Sequence, residues 1–499
     1  MGKTLLPVAL AILCTPFLAA AEVPIRLHPA NPQYFLYKSK PLVLITSGEH
    51  YGSVLNLNFD YVTYLDELKR HGLNLTRTFS GTYREAAVDP HGKTPLSPGR
   101  GPENFIAPWA LSNVDGGYDG KKYDLDRWNP AYFQRLKDFL RRAEERGVIV
   151  ELVLFCRMYT DENHWKVSPL HPDNNLQGEA WRGLSYRRFM TLDSKELVER
   201  QRAFVRKIVS ELRDVPNVYF EVANEPASGR HDSAFAKDVH AWHEAIIDEI
   251  VSAEAALPPE SRHMIAYNDH YAPGPGIGPI PRPQSVHILN GHYLWKMEDL
   301  LAEAGKGRAV AFDETRWIAH PRFGEYGNTM KPASGRVEAW EFMMGGGAVY
   351  SNLNFAYQPG NERGASPESD EFKQYMRNLK EFLTSFDFVR MRPDRGVLAG
   401  GLPAGSTGRA LGEPGRQYAI YIHHSKAARG RNYYEPNEEP RTLNLELDLP
   451  AGSYRVEWVR PTDLAVLGSQ TLTRYPGGKV KLAASPEHHA DIALRIRSR

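Results

Sequence analysis

Short apolar runs rich in Val, Ile and Leu recur along the chain, and polar residues and then an amphipathic stretch follow most of them. The runs are Pro41–Thr46, Leu73–Phe79, Val148–Phe155, Asn217–Ala223, His263–Tyr267, Val286–Leu289, Ala309–Phe312 and Ala348–Asn354. Between them, spacing near 3.6 predicts helices over Asn58–Arg70, Asn129–Arg146, Ser194–Leu212, Ala234–Ala256, Met297–Glu303, Gly335–Met344 and Asp370–Phe386. Gly72 and Gly147 stand past two of these helices as stops, and Pro130 sits in the first turn of another. Continuous apolar strands alternating with helices are the pattern of a parallel sheet covered on both faces. Eight such units predict an α/β fold, a closed (β/α)8 TIM barrel with long insertions. An open doubly wound sheet is disfavoured. Gly274-Pro275-Gly276-Ile277-Gly278 is only superficially a phosphate loop, because no strand leads through it into a helix.

Beyond Arg395 the period changes. Tyr418–His423, Thr442–Leu449, Gly452–Val459 and Ile492–Ile496 are short runs separated by turns, after a Gly-rich bend at Gly396–Gly408. They predict a small antiparallel β-sandwich. At the other end, Lys3, the apolar stretch Leu5–Leu18 and Ala19-Ala20-Ala21 have the order of a secretory signal peptide. The expected organisation is signal peptide 1–21, barrel 22–394 and sandwich 395–499. The expected location is secreted or periplasmic, with no stable membrane insertion after the signal is removed.

Composition narrows the functions. The 499 residues carry 61 Lys+Arg against 60 Asp+Glu, a formal charge of +1, so a nucleic-acid partner is not expected. The two cysteines leave a single thiol, Cys156, after signal removal, and no Cys/His spacing reads as a zinc site. His240 and His243 stand three apart on a helix; a solvated face is the expected reading. Aromatic residues reach 11%, which suits a protein that stacks on flat ligand faces.

The candidate chemistry lies at two strand ends. The fourth run ends in Asn224-Glu225-Pro226 and the seventh in Asp313-Glu314-Thr315. Barrel sites form at the C-terminal ends of the strands, and strands four and seven face each other across the mouth. Two carboxylates so placed are what glycosidic cleavage requires: one donates a proton to the leaving oxygen, the other attacks the anomeric carbon or activates water.

These residues resemble the clan A glycoside hydrolases, the retaining barrels with acids on strands four and seven, including the family 5 cellulases and mannanases. Asn224-Glu225-Pro226, Glu314 and Arg77 match, and His292-Tyr293 fits more loosely. Asn31-Pro32-Gln33-Tyr34-Phe35 with Lys40-Pro41-Leu42 looks like the start of less-characterised members that carry a C-terminal sandwich. The resemblance implies Glu225 as acid/base, Glu314 as nucleophile, Asn224 on the sugar 2-hydroxyl, Arg77 holding Glu314 ionised and Tyr293 orienting it. It implies a β-linked carbohydrate substrate and no metal or organic cofactor. The chain departs from the pattern at Phe155-Cys156-Arg157, where a histidine is absent, at the adjacent His292-Tyr293, and at strand eight, which lacks a tryptophan. His50, Trp165 and Trp317 are further substrate-binding candidates. The loops 80–127 and 157–193 suggest a sugar platform through Tyr83, Phe105, Trp109, Tyr118, Tyr123, Tyr159, Trp165, Trp181 and Tyr186. A carbohydrate-binding protein on a barrel that has lost catalysis is the alternative, disfavoured because both acids are present.

Overall fold

The computed structural model describes residues 22–86, 94–158, 162–226, 233–271, 280, 282–294, 297–319, 330–427 and 434–499. The N-terminal segment, the Gly274–Gly278 stretch and Tyr159 lie outside the described residues. Eight parallel strands form one sheet: β1 (Leu44–Ile45), β2 (Leu75–Phe79), β3 (Ile149–Cys156), β4 (Val218–Asn224), β5 (Ile265–Tyr271), β6 (Ile288–His292), β7 (Ala309–Glu314) and β8 (Val349–Tyr350). From β2 to β8 each strand pairs with the next, and β8 pairs with β1. The ring closes between β1 and β2 partly through a side chain: Ile45 N–H donates to Asn74 Oδ1 at 3.0 Å, and Asn74 Nδ2 donates to Val43 O at 2.8 Å. The expected barrel is therefore present.

The outer layer holds α1 (Tyr61–Arg70), α2 (Pro130–Glu144), α3 (Lys195–Leu212), α4 (Ser233–Ala253), α5 (Glu298–Leu301), α6 (Pro332–Met344) and α7 (Pro367–Thr384). Local sequence accounts for their starts. Asp60, Asn129, Ser194 and Ser366 accept backbone N–H groups at the caps of α1, α2, α3 and α7, and Pro130 and Pro367 supply the fixed φ of a first turn. Among the described residues no helix is long and apolar enough to cross a membrane.

The first apolar run is divided rather than continuous. Lys40–Leu42 belongs to a three-stranded antiparallel sheet with Arg26–His28 and Asn31–Tyr37, and only Leu44–Ile45 enters the barrel. This small sheet bonds to segments that precede barrel strands: Ile25 N–H reaches Pro216 O at 2.9 Å. It therefore covers the floor, at the end opposite the strand C-termini. The antiparallel pair Trp109–Asp115 and Lys121–Trp128, which the sequence pattern did not reveal, stiffens the long loop after β2.

The expected sandwich consists of a six-stranded and a three-stranded antiparallel sheet. Its own core includes Ile420, Leu445, Leu447, Val456, Trp458 and Leu494, and its other face continues the barrel core through Leu411, Ala419, Tyr421, Val459 and Ala493. Trp458 is buried in that core. Helix α6 is buried on nearly all sides between barrel and sandwich. Three charged residues there are tolerated because each has partners. Arg336 makes a two-pronged bond to Asp491 at 2.9 and 3.0 Å. Glu338 accepts from Thr315 Oγ1 at 2.5 Å and Tyr350 OH at 2.8 Å. Glu341 accepts from His423 Nε2 at 2.9 Å and Arg409 Nη2 at 2.7 Å.

The last contact makes this junction acid-sensitive. Burial pushes the Glu341 carboxyl up, but His423 and Arg409 bring it down to about 2 from an ordinary 4.5. A depressed folded value means that the stabilisation is complete above pH 4.5 and is lost as the pH falls toward 2. The shift corresponds to about 3 kcal/mol. Denaturant unfolding measured between pH 6 and pH 3 should show about 2 kcal/mol of this loss, and Glu341→Gln should flatten that part of the profile while lowering stability at pH 6.

Candidate active site

At the strand C-termini the structure brings together residues from strands two, four, six and seven. Arg77 on β2 lies at the centre, fully buried. Its Nη1 donates to Glu314 Oε2 at 2.8 Å and its Nη2 to Asn224 Oδ1 at 2.7 Å. Its Nε and Nη2 both donate to Glu221 Oε2, at 2.9 and 2.5 Å. The planar fork of donors suits this use, since it can serve several acceptors in fixed directions. Asn224 is placed from two sides, because its Nδ2 also reaches Cys156 Sγ at 3.4 Å. Cys156, buried at the end of β3, thus occupies the rim position where the resemblance expects a histidine.

Both His292 and Tyr293 reach the carboxylates. Tyr293 OH donates to Glu314 Oε1 at 2.7 Å. His292 Nδ1 lies 3.0 Å from Glu225 Oε1 and 3.7 Å from Glu314 Oε2, while its Nε2 lies 3.4 Å from Asp313 Oδ2. Adjacent residues can both serve because the pairing of β6 with β7 shifts between Asn290 and His292, and Tyr293 adopts φ 49°. Glu225 has φ 45°, also in the left-handed region. Such conformations cost on the order of 1–3 kcal/mol in residues with a Cβ and are held only by surrounding contacts.

Single oxygens of Glu225 and Glu314 and a nitrogen of His292 lie within 4.8 Å of one another. The separation is small enough for the two carboxylates to act on one bond. Glu225, Glu314 and His292 could hold a cation by distance, as could Glu221, His292 and Asp313. Two resident cations already serve these acids. Burial opposes the charge on His292, but Glu314 and Asp313 raise its pKa well above the ordinary value. For Arg77 burial is likewise outweighed by Glu221, Asp313 and Glu314.

Below this group the barrel interior is polar where apolar layers are usual. Asn290 Nδ2 bridges Glu151 Oε1 at 2.7 Å and Asp313 Oδ2 at 2.9 Å. Burial lifts Glu221 to about 7 and Glu151 well above its ordinary value. Sequence reasoning did not single out Glu151, Glu221, Asn290 or Asn268. A signal for the two glutamates was available: an acid inside an otherwise apolar strand run, as in VELV and FEVA, must find a cation or a proton inside the barrel.

His50 stands on the loop after β1, which Glu49 folds by accepting from the N–H groups of Tyr51, Gly52 and Ser53 at 2.8–2.9 Å. Its Nε2 is 3.9 Å from Glu314 Oε2. Burial pushes it down to about 3, against the pull of Glu314, so it is neutral beside a charged His292. Trp317 follows the β7 rim, partly exposed, with its ring 5.1 Å from Phe355. The structure does not bring Trp165 to this group: its ring is buried against Phe189 and His171 at 5.3 Å. Much of the expected platform is likewise loop core. Tyr83, Phe105, Trp109, Tyr123 and Trp181 are all buried, because loops of this length need an apolar centre of their own. His243 differs from expectation as well. It is fully buried beside Trp242 and Tyr267 and is not on a solvated face.

A (β/α)8 barrel with carboxylates facing each other from strands four and seven, followed by a β-sandwich, defines the class of this protein. No family model matches the chain, and no curated protein matches it. Solved structures do match. The chain is similar to a glycoside hydrolase with a TM-score of 0.57 and 13% identity, over 95% of this chain and 97% of that one. It is also similar to a glycoside hydrolase of family 5 from Bacteroides vulgatus, with a TM-score of 0.60 and 11% identity, over 95% and 92% of the two chains. At these identities the shared property is the fold, and the coverage extends it across barrel and sandwich together.

Proposed function

We propose that the protein is an exported, retaining β-glycoside hydrolase acting on a β-linked oligo- or polysaccharide by double displacement. The observation that carries this reading is the close approach of the two acids, one oxygen of Glu225 lying within 4.8 Å of one oxygen of Glu314. Retaining enzymes hold their carboxyl groups about 5–5.5 Å apart, whereas inverting enzymes need roughly 6.5–9.5 Å to admit a water. Glu314 is the nucleophile, held by Arg77 and aimed by Tyr293. Glu225 is the acid/base. It protonates the leaving oxygen as Glu314 attacks the anomeric carbon, then removes a proton from the water that opens the glycosyl–enzyme ester. Asn224 binds the 2-hydroxyl of the sugar, and Trp317 and His50 border the pocket. The fold shared with glycoside hydrolases supports the class of reaction. The apolar Leu5–Leu18 stretch supports export.

A panel of aryl β-glycosides and β-linked polysaccharides, with products resolved by NMR, tests the proposal. Turnover with retained β configuration, lost in Glu225→Ala and Glu314→Ala and unchanged by a chelator, is the expected result. Sugar binding without turnover would support the non-catalytic alternative, and inverted product would remove Glu314 as nucleophile.

A further inference from the structure

We propose that Asn268, in the middle of β5, is a positioning residue for Glu225 and a hydrogen-bond donor to a substrate oxygen beside it; this rests on the reading of Glu225 as acid/base. Three observations converge. First, the backbone N–H of Glu225 donates to Asn268 Oδ1 at 3.2 Å. An N–H can only donate, so the bond fixes which end of the amide is which. Glu225 has φ 45° and is followed by Pro226, which disfavours helical backbone in the residue before it. The Asn268 bond comes from a neighbouring strand and ties this strained residue to the barrel.

Second, Asn268 Nδ2 is buried and has no hydrogen-bond partner among the described residues, in a residue only 2% exposed. A buried amide donor without an acceptor costs about 1–3 kcal/mol. An oxygen arriving with the substrate would remove that cost. Third, Asn268 pairs in register with Asn290, and the pairing shifts directly after it. Paired neighbours in a sheet point to the same face, and the Asn290 side chain enters the barrel interior to meet Glu151 and Asp313. Asn268 therefore faces the interior too, at a bulge of the kind that re-aims side chains beside active sites.

The two ends of the amide can be separated by mutation. Asn268→Asp keeps an oxygen to accept the Glu225 N–H but replaces the donor with a negative charge. Glu225 already faces His292 from β6 and Glu314 from β7, with Asp313 behind His292, Arg77 from β2, Glu221 on its own strand, and His50 beyond Glu314. One more negative charge makes Glu225 harder to ionise. With an aryl glycoside that the wild type cleaves, Asn268→Asp should lower kcat/KM at least tenfold and move the alkaline limb of its pH profile upward. Asn268→Ala should lose a further factor, larger for poor leaving groups than for nitrophenolate, because a displaced acid matters only where protonation is needed.

If both variants are folded and keep the wild-type pH profile and leaving-group dependence, the inference is overturned, whatever their melting temperatures. A crystal structure of Asn268→Ala tests the positioning half without substrate: Glu225 should leave the left-handed region, and an unchanged φ would overturn it. Should the wild type itself hydrolyse nothing on the panel, the function reading fails separately, while this structural readout still stands.

Discussion

Glu225→Ala, given azide and an activated aryl β-glycoside, should release a β-glycosyl azide. An activated leaving group needs little protonation, so Glu314 can still displace it and form the α-linked ester. Water then attacks slowly because its general base is missing. Azide needs no base, enters from the face opposite Glu314, and inverts the centre a second time. On a natural linkage the same variant should lose at least ~10²–10⁴-fold, the usual contribution of general acid/base assistance. Glu314→Ala has no nucleophile, so azide can only displace the leaving group directly and give the α-azide. Product configuration is read by NMR. The opposite pairing of variant and azide would reverse the two roles. The side chains around each acid favour the stated order: Glu314 accepts from Arg77 at 2.8 Å and Tyr293 at 2.7 Å, which suits a nucleophile held in one orientation.

The second large effect is expected at Arg77. Replacement by Met, of similar length, removes the guanidinium that Glu221, Asn224 and Glu314 share. Breaking a buried ion pair from one side costs about 3–5 kcal/mol, because the remaining charges stay buried without compensation. Denaturant unfolding at pH 8 should show a loss of this size. The deficit should shrink as the pH falls toward about 7, the value to which burial lifts Glu221 in the presence of Arg77, because without the cation Glu221 takes up its proton at a higher pH. A proton then does part of what the cation did. Glu314 also loses its cation, so the acid limb of the activity profile should move upward. Arg77→Lys should recover some stability but less activity, since an ammonium cannot serve three acceptors in one plane. A pH-independent deficit would mean that Arg77 acts by packing alone.

The barrel and the placement of Glu225 and Glu314 at strand ends were legible along the chain. Eight apolar runs alternating with amphipathic stretches leave few alternatives to a barrel, since buried parallel strands need helices over them. Val148–Phe155 and Asn217–Ala223 each match a strand within two residues at either end, for example Ile149–Cys156. Glu225 and Glu314 were legible because strand ends define the rim, and position on the ring needs only the order of strands. Helix starts were legible from single caps such as Asn129 and Ser194.

Tertiary structure alone decided the rest, and the reason is distance along the chain. Arg77 and Glu314 are 237 residues apart, and no local pattern says that one guanidinium will bind both Glu314 and Glu221. Shifts in strand pairing let His292 and Tyr293 both point at carboxylates, whereas strict alternation would send them to opposite faces. The aromatic loops looked open to sugar because composition does not distinguish a side chain that covers a ligand from one that covers its own loop. Burial makes that distinction, and it assigns Trp165 and Trp109 to packing. Helix α6 carries three charges on an almost wholly buried surface. Nothing local says what will meet those charges; the sandwich brings Asp491 and His423 to them.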